Sequence, residues 1–493
     1  MNDFYKNRKK SCFSSQAFGK RLANQEKVFC VDRRKSIMRV ETDLIGTKEI
    51  EKDAYYGLQT LRAYENFNIT GRRAHPEFIR SLAAVKKAAA ITNCQTGELS
   101  EERKDAIVQA CDEILAGKMH DAFITDSIQG GAGTSFNMNA NEVIANRAIE
   151  ILGGEKGDYS IVHPNDHVNM SQSTNDVIPT AGKITAIKLL QGANFQLTRL
   201  IGALRKKEKE FDHILKMGRT QMQDAVPIRL GQEFGAYRAV VERDLGRMTH
   251  ITDELMYVNM GGTAIGTCIN ADESYVSAIV SNLSAVTGLD LRQAKNLIDS
   301  TQNLDCFVTA SATMKTCAVN LSKISNDLRM MSSGPRTGFH EINLPPKQNG
   351  SSIMPGKVNP VIPEVMSQVA FNIIGNDMTI TMAAEAGQLE LNAFEPVIFY
   401  KLFESITTLT GGVQTFTDNC ICDITANEEH CKELVDHSVG IITAICPRVG
   451  YSVAADIAKT AIRTGASVKD VLISRNLLTE EEINKLLDPY AMT

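Results

Sequence analysis

Aliphatic residues recurring at three-, four- and seven-residue intervals leave this chain few folds to choose from. Ile184, Ile187, Leu190, Leu197, Ile201 and Leu204 share one face of a helix, as do Phe234, Tyr237, Val241, Leu245, Met248 and Leu255. Val365, Val369 and Ile373 continue the rhythm, and similar spacing runs from Ala83 to Gly117 and from Asn137 to Leu152. Strand-like alternation is scarce, and a chain with no Trp and 6% aromatic residues suits aliphatic helix–helix packing. The fold class is therefore mainly α, built on long helices with one apolar face each. The few long helices of one chain make a thin bundle. Association of several copies into a shared bundle is the economical way to bury those faces, and a self-contained bundle is the other.

At 493 residues the chain exceeds what one core organises, so several domains are expected. A hydrophobic content of 43% with 23% charge is ordinary for a globular protein, and no apolar run approaches the ~20 residues of a membrane span. Eleven cysteines without metal-type pairing, apart from Cys420-Ile421-Cys422, read as reduced thiols of a cytoplasmic protein. The net charge of −5 is unevenly spread: residues 1–37 hold ten Lys/Arg against three acids, +7, leaving −12 on the rest. An acidic body without a basic stripe argues against nucleic acid as a partner. The basic head reads as a disordered tail, a targeting segment or the product of an upstream start before Met38, and it is set apart from the fold. The expected division is an N-terminal domain over 38–174, a central helical bundle over 175–429 and a small helical domain over 430–493. In the last, Thr464-Gly465-Ala466-Ser467 reads as a turn and cap, and Thr479 with Glu482 as a capping box.

Gly- and Pro-dense segments interrupt the helices at Gln129–Thr134, Pro164–Asn175 and Ser332–Pro360, where function is usually placed. The third ends in Gly350-Ser351-Ser352-Ile353-Met354-Pro355-Gly356-Lys357-Val358-Asn359-Pro360, which two glycines and two prolines keep out of regular structure. Its backbone N–H groups, hydroxyls, one ammonium and one amide are what a small carboxylate needs. The first segment runs Gly130-Gly131-Ala132-Gly133-Thr134 but lacks the Gly-Lys-Ser/Thr ending of a phosphate loop. His163 and His167, four apart beside Asp166, have a spacing a metal could use on a helix, but Pro164 argues for a turn and no metal ligand set is named.

The string from Gly350 to Pro360 resembles the signature loop of the fumarase/aspartase superfamily. So do Thr134-Ser135-Phe136-Asn137, His163 to Asp176 (including Ser171-Gln172-Ser173-Thr174-Asn175) and Gly218-Arg219-Thr220-Gln221-Met222-Gln223. In order and spacing they are similar to the aspartase branch, and the likeness runs from about Arg39 to the C-terminus. Gln221 and Val361-Ile362-Pro363-Glu364 favour that branch: fumarases and some aspartases carry His at the position of Gln221. A glutamine cannot titrate near neutral pH, so it can orient substrate but cannot shuttle a proton.

The resemblance implies a three-domain subunit with a central long-helix bundle, and a homotetramer whose active sites draw on three chains. The implied reaction is reversible deamination of L-aspartate, a small dicarboxylate, to fumarate and ammonium without organic cofactor. Some relatives are activated by divalent metal such as Mg2+, for which no ligands can be named here. Ser351 is implied as the general base on a mobile loop. Thr134, Ser173, Thr174 and Ser352 are implied as donors to an aci-carboxylate, with Lys357, Asn359 and Thr220 on the other carboxylate and Asn175 and Gln221 completing the substrate site. Fumarate hydratase, a lyase for substituted aspartates and a non-catalytic scaffold are the alternatives.

Overall fold

A computed structural model describes residues 38–350, 352–486 and 488–493. The basic head and Ser351 lie outside the described residues. A hairpin opens the fold, β1 (Met38–Thr42) antiparallel to β2 (Thr47–Glu51) with Met38 opposite Glu51. Four helices follow: α1 (Leu58–Asn66), α2 (Pro76–Gln95), α3 (Glu101–Leu115) and α4 (Thr134–Ile151). The 37-residue α5 (Thr174–Glu210), about 55 Å long at 1.5 Å per residue, leads into the hairpin β3 (Leu215–Thr220) and β4 (Gln223–Arg229). Then come α6 (Leu230–Glu254), β5 (Tyr257–Val258), α7 (Glu273–Thr287), β6 (Arg292–Gln293), α8 (Leu297–Gln302) and α9 (Asp305–Met331). After β7 (Ile342–Asn343) come α10 (Val361–Glu385) and α11 (Glu395–Asn419). Then β8 (Thr425–Ala426) precedes α12 (Glu428–His437), α13 (Ile442–Val449), α14 (Tyr451–Thr464), α15 (Val468–Ser474) and α16 (Glu480–Leu486).

The chain is mainly α, as its periodicity predicts. α5, α6, α9, α10 and α11 form a five-helix bundle in which α5 packs on α6 and α11, and α10 lies between α9 and α11. The stripe Ile184, Ile187, Leu190, Leu197 and Leu204 is buried with at most 1% exposure, so the predicted face is the packed face. α2 rests on α5 and also carries α3 and α7. Where these layers meet, Phe78, Phe136, Phe307, Phe399 and Phe403 form a chain of ring contacts with centroids 5.1–5.7 Å apart. Gly182 of α5 lies under the Phe399 ring, where any Cβ would overlap it.

Below the bundle, Val435, Ile441, Ile445, Ile457, Val471, Leu472 and Ile483 make a second, smaller core, joined by Met217 of β3. Its helices start where the sequence places caps. Ser467 Oγ accepts from Asp470 N at 3.1 Å, and Thr479 and Glu482 satisfy each other's backbone N–H at 2.9 and 3.2 Å. The short ladder of β7 and β8 fastens this region to the end of α9.

On propensity alone, alanine at a helical glycine gains about 1 kcal/mol. At Gly182 overpacking, at about 1–3 kcal/mol, outweighs it, because Phe399 is hemmed in by three other rings. Gly182→Ala is therefore expected to lower the thermal unfolding midpoint, and a raised midpoint would contradict this packing.

Candidate active site

Two helix starts bring the first group of predicted residues together. At α4 the turn runs through left-handed Gly131, Ala132 and Gly133 (φ 87°, 56° and 83°), and Thr134 follows as the first helical residue. Its hydroxyl donates to Gly131 O at 2.7 Å and stays exposed. At α5 a capping box holds the start: Asn175 N donates to Ser173 Oγ at 3.2 Å, and Ser173 N to Asp176 Oδ1 at 2.9 Å. Asn137 Nδ2, from the first turn of α4, donates to Thr174 Oγ1 at 3.3 Å and to Asn169 Oδ1 at 3.1 Å. Thr134, Ser173, Thr174 and Asn175 thus sit on two adjoining helix ends.

Underneath is a buried polar layer that the sequence reading did not single out. Lys86 is fully buried and donates to Asn169 Oδ1 at 2.8 Å and Gln172 Oε1 at 2.9 Å. Asp176, equally buried, accepts from Gly261 N and Thr263 N at 3.2 and 3.1 Å besides its bond from Ser173. Asn175 Nδ2 donates to Ala264 O at 2.7 Å and Asn259 Nδ2 returns a bond to Asn175 O at 3.0 Å. A loop some 85 residues downstream is thereby clamped over the α5 start. Burial pushes the Asp176 carboxyl up to about 6 against the pull of its backbone donors, and pushes Lys86 down to about 7. The signal that could have found this layer is the charge itself: Lys86 and Lys87 interrupt the otherwise apolar run Ala83–Ala90, and whichever of them faces the core has to be paired.

Thr220 and Gln221 lie elsewhere, exposed at the tip of the β3–β4 hairpin. Thr220 pairs with Gln223, so Gln221 and Met222 form a two-residue turn, both left-handed at φ 53° and 65°. Asn-Gly is the usual choice for such a turn, and two side chains at positive φ cost of order 1 kcal/mol each, a form of strain that clusters at functional sites. The third group is the loop before α10. Ser352 and Lys357 are exposed and Asn359 half-buried. The loop folds back on itself so tightly that a Cβ on Gly350 would collide with the Lys357 carbonyl. Lys357 makes no ion pair among the described residues. Lys357, Asn359, Met222, Phe339 and His340 line one cavity of about 910 Å3, and none of Thr134, Ser173, Thr174 or Asn175 reaches it.

His163 caps a single helical turn, Pro164–Val168, in which His167 lies. His163 Nδ1 accepts from Asn165 N and Asp166 N, and His167 Nδ1 from His163 N at 2.8 Å, which commits both rings to the turn. Among the described residues no group of three or more His, Cys, Asp or Glu is placed to hold a metal, and all nine described cysteines are free thiols. No described helix is long and apolar enough to cross a membrane.

Long bundle helices with hydroxyl- and amide-bearing starts, plus a separate Gly-Ser-Lys loop, define a class. Residues 46–375 match the lyase family and residues 441–493 the fumarase C C-terminus family. The structure superposes on a fumarate lyase:delta crystallin from Brucella melitensis bound to cobalt, with TM-score 0.91 and 48% identity over 93% of this chain and all of that one. A class II fumarase from Schistosoma mansoni follows with TM-score 0.89, 35% identity, and coverage of 92% and 99%. The chain belongs to the fumarase/aspartase superfamily of lyases. Within it the similarity is to the aspartate ammonia-lyases: 56% identity to that of Bacillus subtilis (92% of this chain, 96% of the relative) and 51% to that of Helicobacter pylori (92% and 98%).

Asparagine at 176 would have to point an NH2 at Ser173 N or at the Gly261 and Thr263 amides. The buried clash and lost bonds are worth about 2–3 kcal/mol. Asp176→Asn is expected to lower the unfolding midpoint, deprotect the Gly261 and Thr263 amides in hydrogen exchange and cut turnover more than about tenfold.

Proposed function

We propose that this carbon–nitrogen lyase interconverts L-aspartate with fumarate and ammonium, using a serine base and a negatively charged aci-carboxylate intermediate. The single observation behind the reading is identity of 50–56% to curated aspartate ammonia-lyases over 92% of the chain. Gln221 agrees with it chemically. An amide supplies no proton near neutral pH, and ammonia needs less acid assistance to leave than hydroxide does.

The C3 proton of aspartate lies next to a carboxylate. Ser351, deprotonated with help from surrounding dipoles, takes it, and the electron pair moves into the carboxylate as an enediolate. The pair then returns to form the C2–C3 double bond, and the C2–N bond breaks with its electrons on nitrogen. Ammonia leaves, and the C3 proton held by Ser351 is released and converts it to ammonium, so the serine is deprotonated again and one aspartate yields one fumarate and one ammonium. The costly species is the enediolate. Fixed donors aimed at it are worth about 3–4 kcal/mol each by the oxyanion-hole precedent. Ser173, Thr174 and Ser352 are the donors in this reading, joined by Thr134 when its hydroxyl turns from Gly131 O to the substrate, with Asn175 and Gln221 orienting the ammonium end. Lys357, with Asn359 and Thr220, holds the second carboxylate. No organic cofactor is needed for this chemistry.

A site built this way is shared between chains of a homotetramer. Two features support that. Phe371, Ile374, Met378 and Met382 form an apolar face of α10 at three- to four-residue spacing that this chain leaves 37–65% exposed. The cavity holding Lys357 and Asn359 also lacks the hydroxyl group of residues, which another copy would bring.

Absorbance at the fumarate band is expected to rise with L-aspartate and stay flat with malate. A response to malate alone would reassign the reaction to hydration. Ser351→Ala is expected to abolish turnover with fold and oligomer intact, and near-normal kcat would remove Ser351 from the base role. Lys357→Ala is expected to lower kcat/KM by the equivalent of about 1.5–3 kcal/mol, the range for a charged hydrogen bond. Mixing inactive Thr134→Ala and Lys357→Ala enzymes under exchange conditions is expected to restore roughly a quarter of the sites by random assembly. No recovery would mean that each site lies within one chain.

A further inference from the structure

The tip that carries Thr220 and Gln221 is exposed, and one buried carboxylate holds the arginine at its base. Glu341 has no exposed surface. Its Oε1 accepts from Arg219 Nη1 at 2.7 Å, and Lys216 Nζ stands 3.5 Å from Oε2. Among the described residues Arg219 is the one side chain that hydrogen-bonds this carboxylate. Arg219 directly precedes Thr220, and its guanidinium also covers the Phe339 ring, with Cζ 4.3 Å from the centroid.

Strand alternation alone does not send Arg219 there. The β3–β4 ladder slips between Met217 and Arg219, and such a bulge re-aims the side chain that follows it. Gly218 permits the slip, since a Cβ there would come within 2.6 Å of Val226 O. Glu341 is held in turn by the main frame. Its N–H donates to Met331 O at the end of α9 at 2.8 Å, and its carbonyl accepts from Asn427 N at 2.9 Å and from Cys431 Sγ at 3.5 Å. Phe339 and His340, just before it, line the cavity of Lys357 and Asn359.

We infer that Glu341 is a positioning residue for the substrate site: through Arg219 it fixes the direction of the Thr220–Gln221 tip, and it touches no substrate itself. The inference rests on the placing of Gln221 in the substrate site. A carboxylate that merely stabilised the fold would affect Gln221-dependent and Gln221-independent turnover alike. One that acts through the tip matters only while Gln221 is there to be positioned.

The test is steady-state kinetics and thermal unfolding of the full-length enzyme carrying Glu341→Gln, Gln221→Ala or both. Glu233→Gln serves as control, because it removes the other carboxylate beside Lys216, 3.1 Å from its Nζ, and leaves Arg219 alone. Glu341→Gln is expected to lower kcat/KM for aspartate about tenfold, mostly through KM, and less than about twofold in the Gln221→Ala background. The unfolding midpoint should fall by the same amount in both backgrounds, and Glu233→Gln should shift the midpoint with kcat/KM unchanged. Equal kinetic losses in both backgrounds, or no loss in either, overturn the inference. If Gln221→Ala alone leaves kcat/KM untouched, the substrate-site reading of Gln221 fails and takes this inference with it. Should Glu341→Gln not fold, Arg219→Lys decides by the same cycle, since it keeps the charge and loses the planar fork.

Discussion

A carboxylate without exposed surface, that of Asp176, determines where the hydroxyl group of the site can be. It closes the capping box of α5 on one oxygen and clamps the Gly261–Thr263 loop with the other. Hydrogen bonds to a charged group bring about 1.5–3 kcal/mol each, while removing a carboxylate from water costs several kcal/mol. The balance is small, so the gain is geometric rather than energetic. Ser173, Thr174 and Asn175 occupy the first turn of a helix about 55 Å long whose far half is locked in the bundle, and they cannot move without moving it. Rigidly held donors are what stabilisation of a short-lived anion requires.

The helices were legible because burial of one face writes itself into spacing, and the stripe from Ile184 to Leu204 appears in the fold as a packed face. The caps at Ser467 and Thr479 were legible because a side chain satisfies its own helix start, a purely local event. What escaped has the opposite character. The Asp176 clamp joins residues some 85 positions apart, and nothing near Gly261 announces it. The β3–β4 hairpin escaped because its turn uses Gln221 and Met222 at positive φ rather than the Asn-Gly that turn chemistry favours. Residues of the candidate site were named through family likeness. Their grouping into two helix ends, one hairpin tip and one loop came from the structure.

That grouping carries an electrostatic argument about what each part can do alone. Beneath the hydroxyl group the charges are already spent: Lys86 is buried against Asn169 and Gln172, and Asp176 against backbone N–H groups. Thr134, Ser173, Thr174 and Asn175 therefore offer hydrogen bonds but no free cation. Lys357 is the reverse case, an exposed ammonium with no ion pair among the described residues, in a cavity the hydroxyl group does not reach. An aci-carboxylate intermediate carries two negative charges on one carboxyl group and a third on the other. Neutral donors disperse the first pair, and a positive charge is needed for the third. Neither cluster meets both needs alone, so the proposed reaction would need both clusters at one substrate. The apolar face of α10, with Phe371, Met378 and Met382 exposed among the described residues, is the surface that the proposed assembly of copies would bury.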